Sequence, residues 1–435
     1  MRNLFFVLLV LLNACSKGEL SEPASLVVST PPVAENITLS DFETDEEVMI
    51  TLNYSGRASQ CSLSNLQNVS ISTPCSCDTQ GICSVGVRGN RFYQGSASFD
   101  YTVSSNSLVS NEAQVGLDLI YTPKAFVSVW RVGASGFGDG DLTVSLPLTS
   151  RGTFNFHVDW GDGSEPSHVT TYWGPEKDHT YLEAGDYKIT ITGSATVWYF
   201  DGWGDSDKII AVTEFGDLGW RNLERAFHGC RNLKSFAGGR TDQVTNMNSM
   251  FSATSSLEDV DLSSFDTSNV TDMRFMFYNS FGVDTALEKL DLSSFDTSNV
   301  TDMAYMFGAQ KFLKELNLSS FDTREVIVMN DMFYDTLALE NLDVSRFNTS
   351  KVTNMAWMFY RATAVKSLDL RHFDVSQVTN MDYLFHTASS LENLNVTGWN
   401  LNPSVSSSYM FSNTLPSLVV QCDFASGMFD GESCQ

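Results

Sequence analysis

Positive charge is scarce in this chain: 26 lysines and arginines stand against 52 aspartates and glutamates, a formal net charge of −26 over 435 residues. Such a surface repels nucleic acid and anionic lipid and favours basic partners or divalent cations, although solubility alone also selects for it. Histidine is equally sparse, at six residues. None of them falls in a His-Glu-x-x-His pair, and the chain holds no Gly-x-Ser-x-Gly elbow, Walker loop or dinucleotide fingerprint. Beyond the first fifteen residues no apolar run reaches the length needed to cross a bilayer. The length exceeds what one compact core accommodates, so two to four domains are expected.

What is present begins with Met1-Arg2-Asn3, an unbroken apolar run from Leu4 to Leu12, and Asn13-Ala14-Cys15. A charged start, a short apolar core and small residues before a cut describe a secretory signal over residues 1–14, too short to span a ~30 Å hydrocarbon core. Leu12-Asn13-Ala14-Cys15 resembles the lipobox of bacterial lipoproteins. That resemblance implies that Cys15 is diacylated, becomes the new N-terminus and anchors the chain to a membrane. Ser16 lacks the acidic character of an inner-membrane retention signal, which favours the outer membrane and a surface location. Residues 15–35, rich in Ser, Pro, Glu and Lys without period, read as a lipidated, flexible tether.

Seven further cysteines lie in a compartment that permits disulfides. Cys61, Cys75, Cys77 and Cys83 cluster, and Cys422 and Cys434 close a short loop in a C-terminal cap over residues 422–435, so three bridges are expected. The pairing within the cluster is open. A zinc site is the alternative there, but Cys75-Ser76-Cys77 lacks the two-residue spacer of a zinc knuckle. Cys230 is left over.

Residues 36–121 carry period-two runs such as Val48–Tyr54, Ser98–Val103 and Ala113–Leu119 between polar turns, the pattern of an antiparallel β-sandwich. The ending, Phe99-Asp100-Tyr101-Thr102-Val103 followed by Ser110–Val115, resembles the last two strands of bacterial Ig-like or cadherin-like modules. A second module over residues 122–200 centres on Phe154–Ser164, with Trp160-Gly161-Asp162-Gly163 at a tight turn, then His179-Thr180-Tyr181 and Gly185–Ile191. It is similar to the PKD domain, a β-sandwich of surface proteins. Asp159 and Asp162 offer a possible calcium site, against the blander reading that Asp in such turns bonds its own backbone.

The second half, residues 201–421, is a repeat. Leu287–Phe307 and Leu313–Thr323 repeat one phrase, and the anchors Phe227, Phe251, Phe277, Phe307, Phe333, Phe359, Phe385 and Phe411 recur at intervals of 24, 26, 30, 26, 26, 26 and 26 residues. The interval of 30 places four extra residues in a loop between Phe277 and Leu287. Leu290-Asp291-Leu292 alternates as a half-buried strand, while Val300, Met303, Met306 and Phe307 fall on one face of a short helix. A strand, a turn and a helix predict an α/β leucine-rich-repeat-like solenoid of about eight coils, each burying columns its neighbours complete. The letters resemble the BspA-like leucine-rich repeat surface proteins across residues 218–420. That resemblance implies a surface location and adhesion to molecules of a host or a neighbouring cell. Twelve of the fifteen methionines fall at repeated core positions, and Cys230 at a small buried place three residues after Phe227.

Two surfaces follow. In each strand the residue between buried aliphatics points outward, lining up Asp261, Asp291, Asn317, Asp343, Asp369 and Asn395 as either a solvated ladder or a groove for calcium or a basic ligand. On the expected helix Phe275, Tyr305, Trp357, Tyr383 and Tyr409 lie opposite the buried group and form a candidate partner-binding stripe, extended by Tyr278, Tyr334 and Tyr360 and interrupted at Arg225, Ser249 and Asp331. A tighter, 3₁₀-like turn would instead rotate each ring sideways onto the next coil. A repeat surface offers no deep pocket to shift carboxylate pKa values, so no catalysis and no cofactor are expected. The whole predicts a lipid-anchored, non-catalytic adhesion or interaction protein that binds a protein or glycan on another cell or matrix. A structural envelope component is the other class. If Cys15 carries the lipid, Cys15→Ser moves the protein from the membrane pellet to the soluble fraction; a variant that stays in the pellet refutes the anchor.

Overall fold

The computed structural model describes residues 30–44, 46–90, 93–202, 204–280 and 283–423, so Cys15 and Cys434 lie outside the described residues. The chain divides into two compact units, Met1–Thr122 and Pro123–Gln435. Among the described residues the elements are strands and turns, with two short 3₁₀ pieces at Pro175–Lys177 and Gly204–Asp207. No helix among them is long and apolar enough to cross a membrane.

In the first unit, period-two patterning works as alternation demands. Ala113–Ile120 buries Ala113, Val115, Leu117 and Leu119 and turns the residues between them outward. It pairs antiparallel with Gly95–Ser105 and parallel with Ile37–Glu43. A second sheet sets Cys83–Gly89 between Val48–Thr51 and Val69–Cys77. Ile50, Val85 and Val87 of that sheet share one core with Phe99, Tyr101 and Val115 of the first. Disulfides join Cys61 to Cys75 and Cys77 to Cys83.

The second unit is built on one seven-stranded sheet that runs across residue 200. Its first members are antiparallel: Ser167–Val169, Phe154–Asp159, Gly185–Ala195, Phe126–Val132 and Ile209–Glu214. From Ile209–Glu214 onward the pairing turns parallel, to Ser235–Ala237 and then Asp259–Asp261. The sheet is thus both the core wall of the module around Trp160 and the first rung of the solenoid. Phe126, Trp198, Phe215 and Trp220, all buried, pack as an aromatic cluster against Phe227 at the start of the stack.

Among the described residues the coils are strands, isolated bridges and turns, and none of the expected helices is present. Met273, Phe275 and Phe277 donate their N–H groups to Asp302, Ala304 and Met306 of the next coil at 2.9–3.1 Å, while Met276 and Tyr278 donate back to Met273 and Phe275 to close turns. Phe275 has φ 57°, and its equivalents Arg225, Ser249, Tyr305, Asp331, Trp357, Tyr383 and Tyr409 all lie between 55° and 61°. An L-residue in that left-handed region cannot continue an α-helix. The segment is therefore a run of linked turns, and the leucine-rich-repeat expectation is corrected to a β-solenoid. Turns of about three residues bring Val270, Met273, Met276 and Phe277 inward just as a helix would, which is why the spacing misled; each is at most 1% exposed. The anchor phenylalanines stack in one file, centroids 5.5–6.0 Å apart.

A second file is polar. Thr241, Thr267, Thr297, Thr323 and Thr349 are buried, and each hydroxyl donates to a carbonyl of the next coil, as Thr323 does to Asn348 at 2.9 Å. Thr323 Oγ1 also accepts the Asn348 N–H at 2.7 Å. One buried hydroxyl thus satisfies both main-chain polar groups of a residue in the next coil, so the phrase Phe-Asp-Thr carries a stitch between coils. Thr323→Val keeps the shape and removes the stitch, and it is expected to cost about 1–3 kcal/mol, read as a lower melting temperature. An unchanged melting temperature refutes that role.

Candidate functional site

The outward row is exposed at its four aspartates and Asn317 and half-buried at Asn395, its Asp343 lies outside the strands, and its carboxylates are used locally. Asp261, Asp291, Asn317, Asp343, Asp369 and Asn395 each accept the N–H two residues on, at 2.9–3.3 Å. These bonds, with the Ser263 and Ser345 hydroxyls and the Arg371 guanidinium, hold the aspartate carboxyls below their ordinary value. The row is a ladder of Asx turns, which set the corner where each strand ends. Asp266, Asp296, Asp322, Asn348 and Asp374 form a second such ladder at the next corner.

The turn of the module behaves in the same way. Asp159 Oδ1 accepts Gly161 N–H and Asp162 Oδ1 accepts Ser164 N–H, both at 3.0 Å. The other Asp162 oxygen meets His179 Nε2 at 2.8 Å, and His179 stacks on Trp160 at 4.9 Å. Gly161 has φ 78°, and a Cβ there would collide with the Lys188 carbonyl, so the turn requires glycine. Trp160-Gly161-Asp162-Gly163 and His179-Thr180-Tyr181 thus lock each other structurally.

Two clusters have the composition of metal sites. Cys61, Cys77 and Cys83 are consumed by the disulfides. Asp139, Asp141 and Asp205 surround the buried Lys208 ammonium at 2.6–2.7 Å, which occupies the place a cation would take. Burial by itself would lower the Lys208 pKa, but the three carboxylates raise it on balance, so the ammonium stays charged. Cys230 is a buried free thiol pushed well up by burial, and it is a packing residue.

The aromatic residues are brought together. Phe275 and Tyr305 stack at 4.6 Å, Trp357 and Tyr383 at 4.2 Å, and Tyr383 and Tyr409 at 5.1 Å. They do not stand free as a helix face would hold them. The left-handed backbone turns each ring along the stack, so all but Tyr409, 54% exposed, are half-buried against a neighbouring ring. Three residues on, Tyr334, Tyr360 and His386 make a parallel file at 5.1 and 5.2 Å. Gly308 breaks that file, and Tyr278 leans across the space: a Cβ on Gly308 would lie 3.1 Å from its ring.

Asp331 is only an interruption of the stripe in the sequence, yet the structure buries it beside a groove on this face. A groove of 460 Å³ is lined by Tyr278, Tyr305, Asn330, Asp331, Tyr334 and Trp357, among others. Asp331 is 4% exposed and accepts the Asn330 amide at 2.8 Å and the Tyr305 hydroxyl. Burial pushes its carboxyl up to about 6, against these two hydrogen bonds. Burial, with the charge of Asp331, likewise raises the Tyr305 phenol. Nearby, Asp335 is fully buried with Arg361 Nε at 3.0 Å, and its carboxyl too is raised by burial.

Residues 221–318 and 310–417 match a family model described as "Mycoplasma protein of unknown function, DUF285". No curated protein and no solved structure matches the chain.

A carboxyl that titrates near 6 rather than at its ordinary value costs the fold on the order of 3 kcal/mol at neutral pH. Between the two values the native state holds a proton that the unfolded chain has lost, so stability falls as pH rises from about 4 to about 6. Asp331→Asn keeps the shape and removes the charge. Its melting temperature should exceed that of the parent at about pH 7.5 and approach it at about pH 3.5. Equal melting temperatures at the higher pH show that the buried charge carries no cost.

Proposed function

We propose that this chain is a lipid-anchored surface protein that acts without catalysis, binding a macromolecular partner through the aromatic face of its solenoid. The observation that carries this reading is the file of stacked rings from Trp357 to Tyr409, held half-open along one face. Rings packed on each other are rigid and lose little entropy on binding, and they present flat apolar surface edged with hydroxyls, the kind of surface that proteins and sugars stack against. The lipobox-like Leu12–Cys15 supports anchoring through Cys15. The likeness of the early modules to Ig-like and PKD domains, and of the coils to BspA-like repeats, supports display at the surface of the outer membrane.

The test uses the lipid-free chain from about residue 16 in pull-downs against cell-surface and matrix extracts. Tyr383→Leu combined with Tyr409→Leu removes the aromatic faces and keeps apolar cover over the coil. The pair should abolish capture and leave the melting temperature nearly unchanged. Capture that survives the pair overturns the assignment to this face, and capture of envelope components of the producing cell alone favours a structural role.

A further inference from the structure

Between Phe275 and Tyr409 the aromatic file lacks one ring. Phe275 and Tyr305 stack with planes 16° apart, Trp357 and Tyr383 with planes 23° apart, and between these pairs the ladder position belongs to Asp331. The groove opens at this place, with Tyr305 of the preceding coil, Trp357 of the following coil and Asp331 itself in its lining. Consecutive anchor rings beneath it, Phe307, Phe333 and Phe359, are 5.7 Å apart, so the coil spacing is regular where the outer file is interrupted. What is missing is one planar group, and a carboxylate marks its place.

We propose that this slot receives the guanidinium group of an arginine side chain on a basic protein partner, stacked between Tyr305 and Trp357 and hydrogen-bonded to the Asp331 carboxylate. The inference rests on the reading of the aromatic face as the recognition surface. A guanidinium is planar, always charged, weakly hydrated and able to lie on aromatic faces while its edge meets a carboxylate. An ammonium group is compact and strongly hydrated, and it does not fill a ring-shaped gap. The donors described at Asp331, the Asn330 amide and the Tyr305 hydroxyl, are neutral. Two carboxylate oxygens offer about four acceptor positions, so room remains for a charged donor. The net charge of −26 draws a basic partner toward the face. A cation arriving in the slot also relieves the cost of burying this carboxylate, so its binding and the strain at the site are complementary.

The experiment titrates the whole purified chain with penta-arginine and with penta-lysine at about 0.3 M salt, where attraction between exposed charges is largely screened. Penta-arginine should bind, and penta-lysine at least about tenfold more weakly. Asp331→Asn, which retains the fold, should weaken penta-arginine about tenfold, and Asp331→Tyr, which completes the file with a residue type already tolerated at φ 58° in Tyr305, should close the slot to it. Equal binding of the two peptides, indifference to both Asp331 variants, no binding of penta-arginine, or its displacement by a neutral oligosaccharide overturns the proposal. If penta-arginine fails while capture from extracts still depends on Tyr383 and Tyr409, the slot assignment falls and the recognition face stands. Loss of that dependence as well brings down both.

Discussion

The hydrogen bond from Phe277 N–H to the Met306 carbonyl, 2.9 Å long, has an equivalent in nearly every coil, and it fixes what surrounds it. A coil whose alternate N–H groups point to its neighbour cannot satisfy its own backbone, so it is stable only within the stack. The same pairing sets the separation of the anchor phenylalanines, places each Thr hydroxyl under the next Asp or Asn peptide, and lays the outer rings on one another. Holding this geometry requires a left-handed residue in every coil, at a cost of roughly 1–2 kcal/mol each. The inter-coil bonds on either side offset that cost. It buys flat, pre-ordered aromatic surface.

The repeat, its period and its buried columns are readable from the letters because burial depends on spacing, and Val, Met, Met and Phe recur at one spacing in the coils that end at Phe251, Phe277, Phe307, Phe333 and Phe359. The backbone conformation is not readable in the same way. Turn residues usually announce a positive φ through glycine or asparagine, whereas here Phe275, Tyr305, Trp357, Tyr383 and Tyr409 adopt it. A spacing of three and four residues fits linked turns as well as a helix, and nothing in the composition separates the two. The aromatic residues were named correctly as a group, but their orientation follows from φ and not from helical angle. Asp331 was legible only as a gap. Its raised pKa comes from burial among neighbouring coils that sequence order does not bring together, and it persists against the hydrogen bond from Tyr305. The Thr file was missed because a threonine in a consensus loop looks like solvated punctuation, although its recurrence beside Asp was a usable sign.

Acidity in this chain is divided between two physical states. Many aspartates of the repeat sit at corners, where they bond the N–H two residues on and stay at least partly open to solvent. They shape the turn and project a negative field together. Asp205, Asp331 and Asp335 are buried instead, and each is pushed up by lost hydration. Lys208 answers the first and Arg361 lies against the third. At Asp331 the described donors are neutral, and the residue, though buried, lines a groove.

The sheet that changes from antiparallel to parallel at Ile209–Glu214 also determines how the second unit bears a mechanical load. Phe126–Val132, next to the N-terminal end of this unit, is hydrogen-bonded along one edge to Gly185–Ala195 and along the other to Ile209–Glu214. Tension applied along that strand loads both rows of bonds in shear, so many must yield together instead of opening one after another. The coils, joined across their short strands to the far side of the same sheet, lie outside the first line of force. A pull on that end of the unit would therefore be met by the module while the solenoid keeps its shape.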